Sequence, residues 1–198
     1  MTRPLCEEDL AAVSDVLEQA ARQSGTLDDM LAFLRLYARL HWDNISGHFS
    51  AEVLESDLYD RWKSSLPETS QTPLAPVDYL HIATQTHSHG GHSRLLWRLS
   101  EGLSDAGTQG LLLTDPRKHN FVGDFQGPVL SLEAPPAKKV AAIVAAAREA
   151  RTVLLHIHPD DAAAAFAARV LRDQGKQVIF VNHADHVFTL GMGAADVV

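Results

Sequence analysis

The chain carries one cysteine, Cys6, in 198 residues. A single thiol excludes a disulfide framework and any zinc site built on cysteines, and it fits a reducing compartment. Long apolar runs are missing too. None approaches the ~20 residues of a membrane span, and the opening MTRPLCEEDL has no apolar signal core, so a cytoplasmic location is expected. Positive charge is scarce: 17 Lys and Arg stand against 25 Asp and Glu, for a net charge of −8. That balance points away from nucleic acid, whose binders carry a basic field. The sequence has no full G-x-G-x-x-G, no Walker sequence, no H-E-x-x-H and no G-x-S-x-G elbow, so conventional NAD, P-loop, zincin and serine-hydrolase sites are unsupported. With 45% hydrophobic and 21% charged residues the composition is that of an ordinary folded domain. What is plentiful is histidine, with eleven residues unevenly placed.

Three segments follow from patterning. Residues 1–66 read as all-helical. Leu10, Val13, Val16, Leu17 and Ala20 recur at helical spacing within Glu7–Arg22, as do Met30, Leu31, Leu34, Tyr37 and Ala38 within Leu27–Leu40. Thr26 caps the second helix, Asn44–Gly47 breaks the chain, and Ser50 opens a third helix through Leu54, Leu58 and Trp62. Residues 67–76, PETSQTPLAP, form a proline-rich linker. Residues 77–198 alternate strand and helix. Strands are expected at Val77–Ala83, Gly110–Thr114, Val129–Leu132, Val153–His156 and Val178–Val181. Helices are expected at Ser93–Asp105, Ala137–Ala150 and Asp161–Asp173. This order predicts an α/β fold, a Rossmann-like, doubly wound parallel sheet preceded by a helical segment. The closing Asp196-Val197-Val198 reads as the opening of a further strand, so the 77–198 domain is expected to be truncated at its C-terminal end.

Open parallel sheets bind ligands beyond the carboxyl ends of their strands. Three histidine clusters follow predicted strands: THSHGGH (86–92), HIHPDD (156–161) and NHADH (182–186). They are expected to converge on one edge as a cleft. Gly90 and Gly91 allow close approach of a ligand to the backbone, and the helix that follows offers free N–H groups to a phosphate or carboxylate. His92, Ser93 and Arg94 stand beside that turn. His156 reads as a satisfied core histidine and His158 as the better substrate contact. Asp160 is expected to cap the next helix, with Asp161 complementing its dipole. His183 and His186, three apart, share a face if a helical turn begins there, and Asp185 orients an imidazole or caps that turn.

These stretches carry a resemblance. THSHGGHSRLLWRL (86–99) resembles the first-strand turn of GT-B glycosyltransferases, VLLHIHPDD their later strand ending in histidine, and VIFVNHADHVFTLGMGAADVV a stretch of bacterial GT-B enzymes of the family 4 and family 1 type. The resemblance covers about residues 77–198, the N-terminal, acceptor-side half of such an enzyme. It implies transfer of a sugar from a nucleotide-sugar co-substrate to a saccharide, lipid-linked or protein acceptor. It implies no further cofactor and no metal, and the absence of any D-x-D agrees, since dipoles and basic side chains then hold the diphosphate. Gly90, Gly91, His92, Ser93, Arg94, His87 and His186 would bind substrate or phosphate, and His158, His183 and Asp185 would be catalytic. The family's paired glutamates belong to a nucleotide-binding half with no counterpart here. Without that half the chain is expected to be inactive alone. Peripheral membrane association of the full-length protein and oligomerisation through residues 1–66 are compatible with this picture.

Two other readings use the same residues. A metal-dependent hydrolase or phosphoesterase would draw ligands from His87, His89, His92, His158, Asp160, His183 and His186. A non-catalytic partner-binding domain would use Trp42, Phe49, Tyr59 and Trp62 as anchors.

Overall fold

The structure, a computed structural model, describes residues 6–44, 46–115, 121–123, 125–183 and 186–198. The chain opens with three helices, α1 (Glu7–Gln23), α2 (Leu27–Asp43) and α3 (Glu52–Trp62). Thr26 caps α2 as expected, accepting from the Asp29 amide at 3.1 Å. Met30, Leu31, Leu34, Tyr37 and Ala38 are all buried. The α1 stripe is rotated from expectation: Val16 is 64% exposed and Val13 also faces solvent. Leu10, Ser14, Leu17 and Ala21 turn inward instead. Ser14 is drawn in by a 2.9 Å hydrogen bond to buried His41 of α2, a polar contact that hydrophobic spacing does not register. The N-cap of α3 is Ala51 and not Ser50.

Five strands follow, β1 (Val77–Ala83), β2 (Gln109–Leu113), β3 (Val129–Ser131), β4 (Ala150–His156) and β5 (Gln177–Phe180), with helices α4 (Gly91–Gly102), α5 (Pro136–Ala146) and α6 (Ala162–Asp173). All pairings are parallel, in the order β3-β2-β1-β4-β5, a Rossmann-like sheet. Val197 makes an isolated parallel bridge with Ile179, and no strand is formed at the expected Asp196–Val198 among the described residues. The helix expected over Ala137–Ala150 stops at Ala146, because Ala150 already pairs with Val77 at the sheet. α4 begins at Gly91, one turn boundary earlier than its apolar spacing marks, and ends at Gly102.

Strand side chains alternate between the two faces. Leu80, Ile82, Leu112 and Leu155 join one large core with α5 and α6. Ala83, Leu111 and Leu113 join Leu96 of α4 in a smaller core on the other face. Nine of the twelve α6 residues are buried, so α6 is covered on both sides, by the sheet and by the N-terminal helices. Residues of α2 and α3 belong to the same continuous core as α5 and α6. The molecule therefore stacks α4, the sheet, α5–α6 and α1–α3 in that order.

Candidate functional site at the switch point

β1 and β4 lie side by side, yet α4 leaves β1 on one face and α6 leaves β4 on the other. The loops diverge and open a crevice at their carboxyl ends. One carboxylate ties this edge together. Asp161 Oδ2 accepts from Thr84 Oγ1 at 2.7 Å, just past β1, and from Thr114 Oγ1, just past β2. Asp161 Oδ1 caps α6 through the Ala164 amide at 3.1 Å. Thr84 Oγ1 accepts in turn from the His158 amide at 2.7 Å. The helix cap is thus Asp161, and the cap expected of Asp160 is corrected.

Asp160 does something else. Its Oδ1 bonds Nδ1 of His158 and its Oδ2 accepts from Arg35 Nε of α2 at 3.2 Å. Burial pushes the Asp160 carboxyl up, but the His158 hydrogen bond and charge and the Arg35 guanidinium outweigh it and hold the group at about 2. Trp42 of α2 meets the His158 ring edge-on, with centroids 4.4 Å apart, and Arg39 lies 4.2 Å over Trp42. Arg35, Thr84, Thr114, Lys139, Asp160 and Asp161 border a cleft of about 240 Å3 beside this edge.

On the α4 side the histidines form a stack. His92 and His183 lie face to face, 4.1 Å apart at 4°. His92 Nε2–H donates to the His156 carbonyl at 2.8 Å. Burial, then the His183 ring, lowers His92 to about 4. Burial also lowers His183, opposed by a hydrogen bond to the Val181 backbone. Beneath them His156 is fully buried, and its Nε2 lies 3.0 Å from Nδ1 of His81. Gln109 settles the tautomers. Its Nε2 donates to the Ser100 carbonyl, so its Oε1 accepts from His81 Nε2–H at 2.9 Å. His81 Nδ1 is then an acceptor and His156 Nε2 the donor. That leaves His156 Nδ1 buried with no partner among the described residues.

The glycine turn leads into α4. Gly90 is the α4 N-cap at φ 113°, a conformation that favours glycine. A Cβ on Gly91 would meet nothing within 4 Å among the described residues. Ser93 is buried and its hydroxyl accepts from the His87 amide at 2.8 Å. It therefore braces the turn, and its hydroxyl faces inward, not toward a ligand. The amide of Arg94 bonds the Gly90 carbonyl at 3.1 Å, and its side chain is exposed, as are those of His87, His89 and His186. Asp185 lies outside the described residues. Among the described residues, no three His, Cys, Asp or Glu side chains converge in a way that could hold a metal ion, and no helix is long and apolar enough to cross a membrane.

Arg35, His81, Gln109, Thr84 and Thr114 were not anticipated in the site, and Trp42 was expected only as an anchor for a partner. A signal existed for Arg35 and Trp42, since Arg35, Arg39 and Trp42 lie one above another on a single face of α2. His81 and His156 are polar residues inside otherwise apolar strands and sit on adjacent strands, a pattern visible once the pairing is known. Comparison with family models, with curated proteins and with solved structures gives no match to this chain.

Proposed function

We propose that the chain is the acceptor-side half of a GT-B glycosyltransferase, moving a sugar from a nucleotide-sugar donor to a saccharide, lipid-linked or protein acceptor. The observation that carries this reading is the meeting of three loops at the β1–β4 switch point. There the Gly90–Gly91 turn at the α4 N-terminus, the His92–His183 pair and His158 share one edge. Glycines that admit a ligand to backbone N–H groups at a helix start suit a diphosphate. Imidazoles suit sugar hydroxyls, which need both donors and acceptors. Gly90, Gly91 and His92 contact the diphosphate in this reading, His158 and His183 face the sugar, and Ser93 holds the turn.

The test is a titration with UDP-glucose, followed by the amide signals of Gly90 to Arg94 and the ring signals of His183. The expected result is a saturable shift of those signals at millimolar affinity, the strength one half of a two-part cleft provides. Signals that stay fixed up to about 10 mM, a binding free energy weaker than about −3 kcal/mol, would refute it.

A further inference from the structure

We infer that Asp160 and Arg35 are positioning residues that fix His158 in the tautomer protonated on Nδ1, so that its Nε2 lone pair is left as an acceptor for a substrate hydroxyl. The inference rests on the sugar-transfer reading for the identity of the substrate, but its geometry stands by itself. Ionised Asp160 is acceptor-only. The bond between Asp160 Oδ1 and His158 Nδ1 therefore requires the proton on Nδ1, and in the neutral ring Nε2 is bare. A free imidazole prefers the opposite tautomer, with the proton on Nε2, so the carboxylate reverses the resting preference.

Three further contacts keep the pair from moving. Arg35 Nε takes the other Asp160 oxygen at 3.2 Å, with Arg35 63% exposed and Asp160 only 7% exposed. Trp42 closes one side of the ring at 4.4 Å. The His158 backbone is anchored by its 2.7 Å bond to Thr84 Oγ1. Two of the holding residues, Arg35 and Trp42, come from α2. The helical segment is by this account a working wall of the site, whatever other contacts it makes.

The consequence for substrate class is directional. A bare nitrogen lone pair backed by a buried carboxylate repels phosphate and carboxylate oxygens and attracts an O–H donor. The edge is thus divided: the glycine turn of α4 takes the anionic part of a substrate, and His158 takes a hydroxyl-bearing part. Sugar hydroxyls meet that requirement and phosphate oxygens do not.

Nitrogen-15 correlation of the histidine rings in the intact chain, recorded with His158 in its neutral form, reads the tautomer directly. The wild type is expected to show Nδ1–H with an unprotonated Nε2. Asp160→Asn is expected to lose that state in favour of Nε2–H, and Arg35→Gln to show a mixture of the two. Arg35 is largely exposed, so Arg35→Gln reports even if Asp160→Asn does not fold. A wild-type ring protonated on Nε2, or a tautomer indifferent to both substitutions, overturns the inference. Adding UDP-glucose, but not UDP, is expected to shift the Nε2 signal. A correct tautomer with an Nε2 signal that ignores UDP-glucose overturns the hydroxyl assignment. Fixed α4 amides in the same titration count against the sugar-transfer reading alone.

Discussion

Asp160 and Asp161 are adjacent and chemically identical, yet one orients a histidine and the other knits two strand ends to a helix start. Which does which depends on a backbone rotation of one residue, and that is why the sequence led to the cap being placed on Asp160. The difference has measurable effects. Asp160 is held at about 2, below its ordinary value of about 3.8, so it contributes stability above pH about 4 that is lost as pH falls towards 2. Replacing it with Asn is expected to lower unfolding free energy by about 1–3 kcal/mol at pH 7, since His158 and Arg35 lose a charged partner. Denaturant titration at pH 7 and pH 3 measures this, and the gap between variant and wild type should narrow at the lower pH. The two glycines of the α4 turn separate in the same way. Gly90 sits at φ 113°, and Gly90→Ala is expected to cost roughly 1–2 kcal/mol in backbone strain. At Gly91 there is open space, so Gly91→Val should lower stability by about 1 kcal/mol or less while removing the response to UDP-glucose. Thermal unfolding and the titration on the same sample check both statements.

At the scale of elements, the strands were the most legible part. VDYLHIA, QGLLL, ARTVLLH and QVIF are short apolar runs bounded by turn residues, and the expected β1 matches residue for residue. Helix faces were less legible where polar bonds turn the helix, as Ser14 and His41 do for α1. The histidine loops were recognised because seven of the eleven histidines lie in three short stretches at strand ends. Their stacking was not recognised, because ring-to-ring contact across α4, β4 and the segment after β5 has no signature in spacing. That stack has a sign in pH. Burial lowers His81, His92, His156 and His183 alike. Each is neutral in the fold and binds a proton more readily once unfolded. Stability from these groups is full above about 6.5 and is lost as pH falls, for His92 down to about 4. His92→Gln keeps a donor for the His156 carbonyl and removes one such titration. Its unfolding free energy should fall less steeply than the wild type between pH 6.5 and 4, by up to ~1.4 kcal/mol per pH unit. Identical slopes would place the His92 ring in solvent.

At the scale of the molecule, the N-terminal helices and the sheet domain share one core, and the seam between them is polar as well as apolar. Tyr59 donates to Asp173 at 2.7 Å, Arg169 reaches Ser56 at 3.1 Å, and Glu55 accepts from the Gly191 amide at 2.8 Å. Composition alone made residues 1–66 look like an extension joined by a proline-rich linker, because nothing within that segment shows what its helices cover; the mark of a second buried side lies in α6 instead. The alanine-rich run AAAAFAA of α6 was such a mark. A helix apolar all round is covered all round, and a sheet covers only one side. Removing residues 1–66 would uncover Phe166, whose ring lies 5.3 Å from that of Tyr59, and would open the core that α2 and α3 share with α5 and α6. A chain of residues 77–198 is therefore expected to lose cooperative unfolding and to bind hydrophobic dye, as partly packed states do. It would also lose Arg35 and Trp42, and with them the hold on His158. Calorimetry of the two chains decides it. A sharp transition in the shorter chain, with the His158 tautomer intact, would mean that the sheet domain is complete without its helical cover and that α2 plays no part in the site.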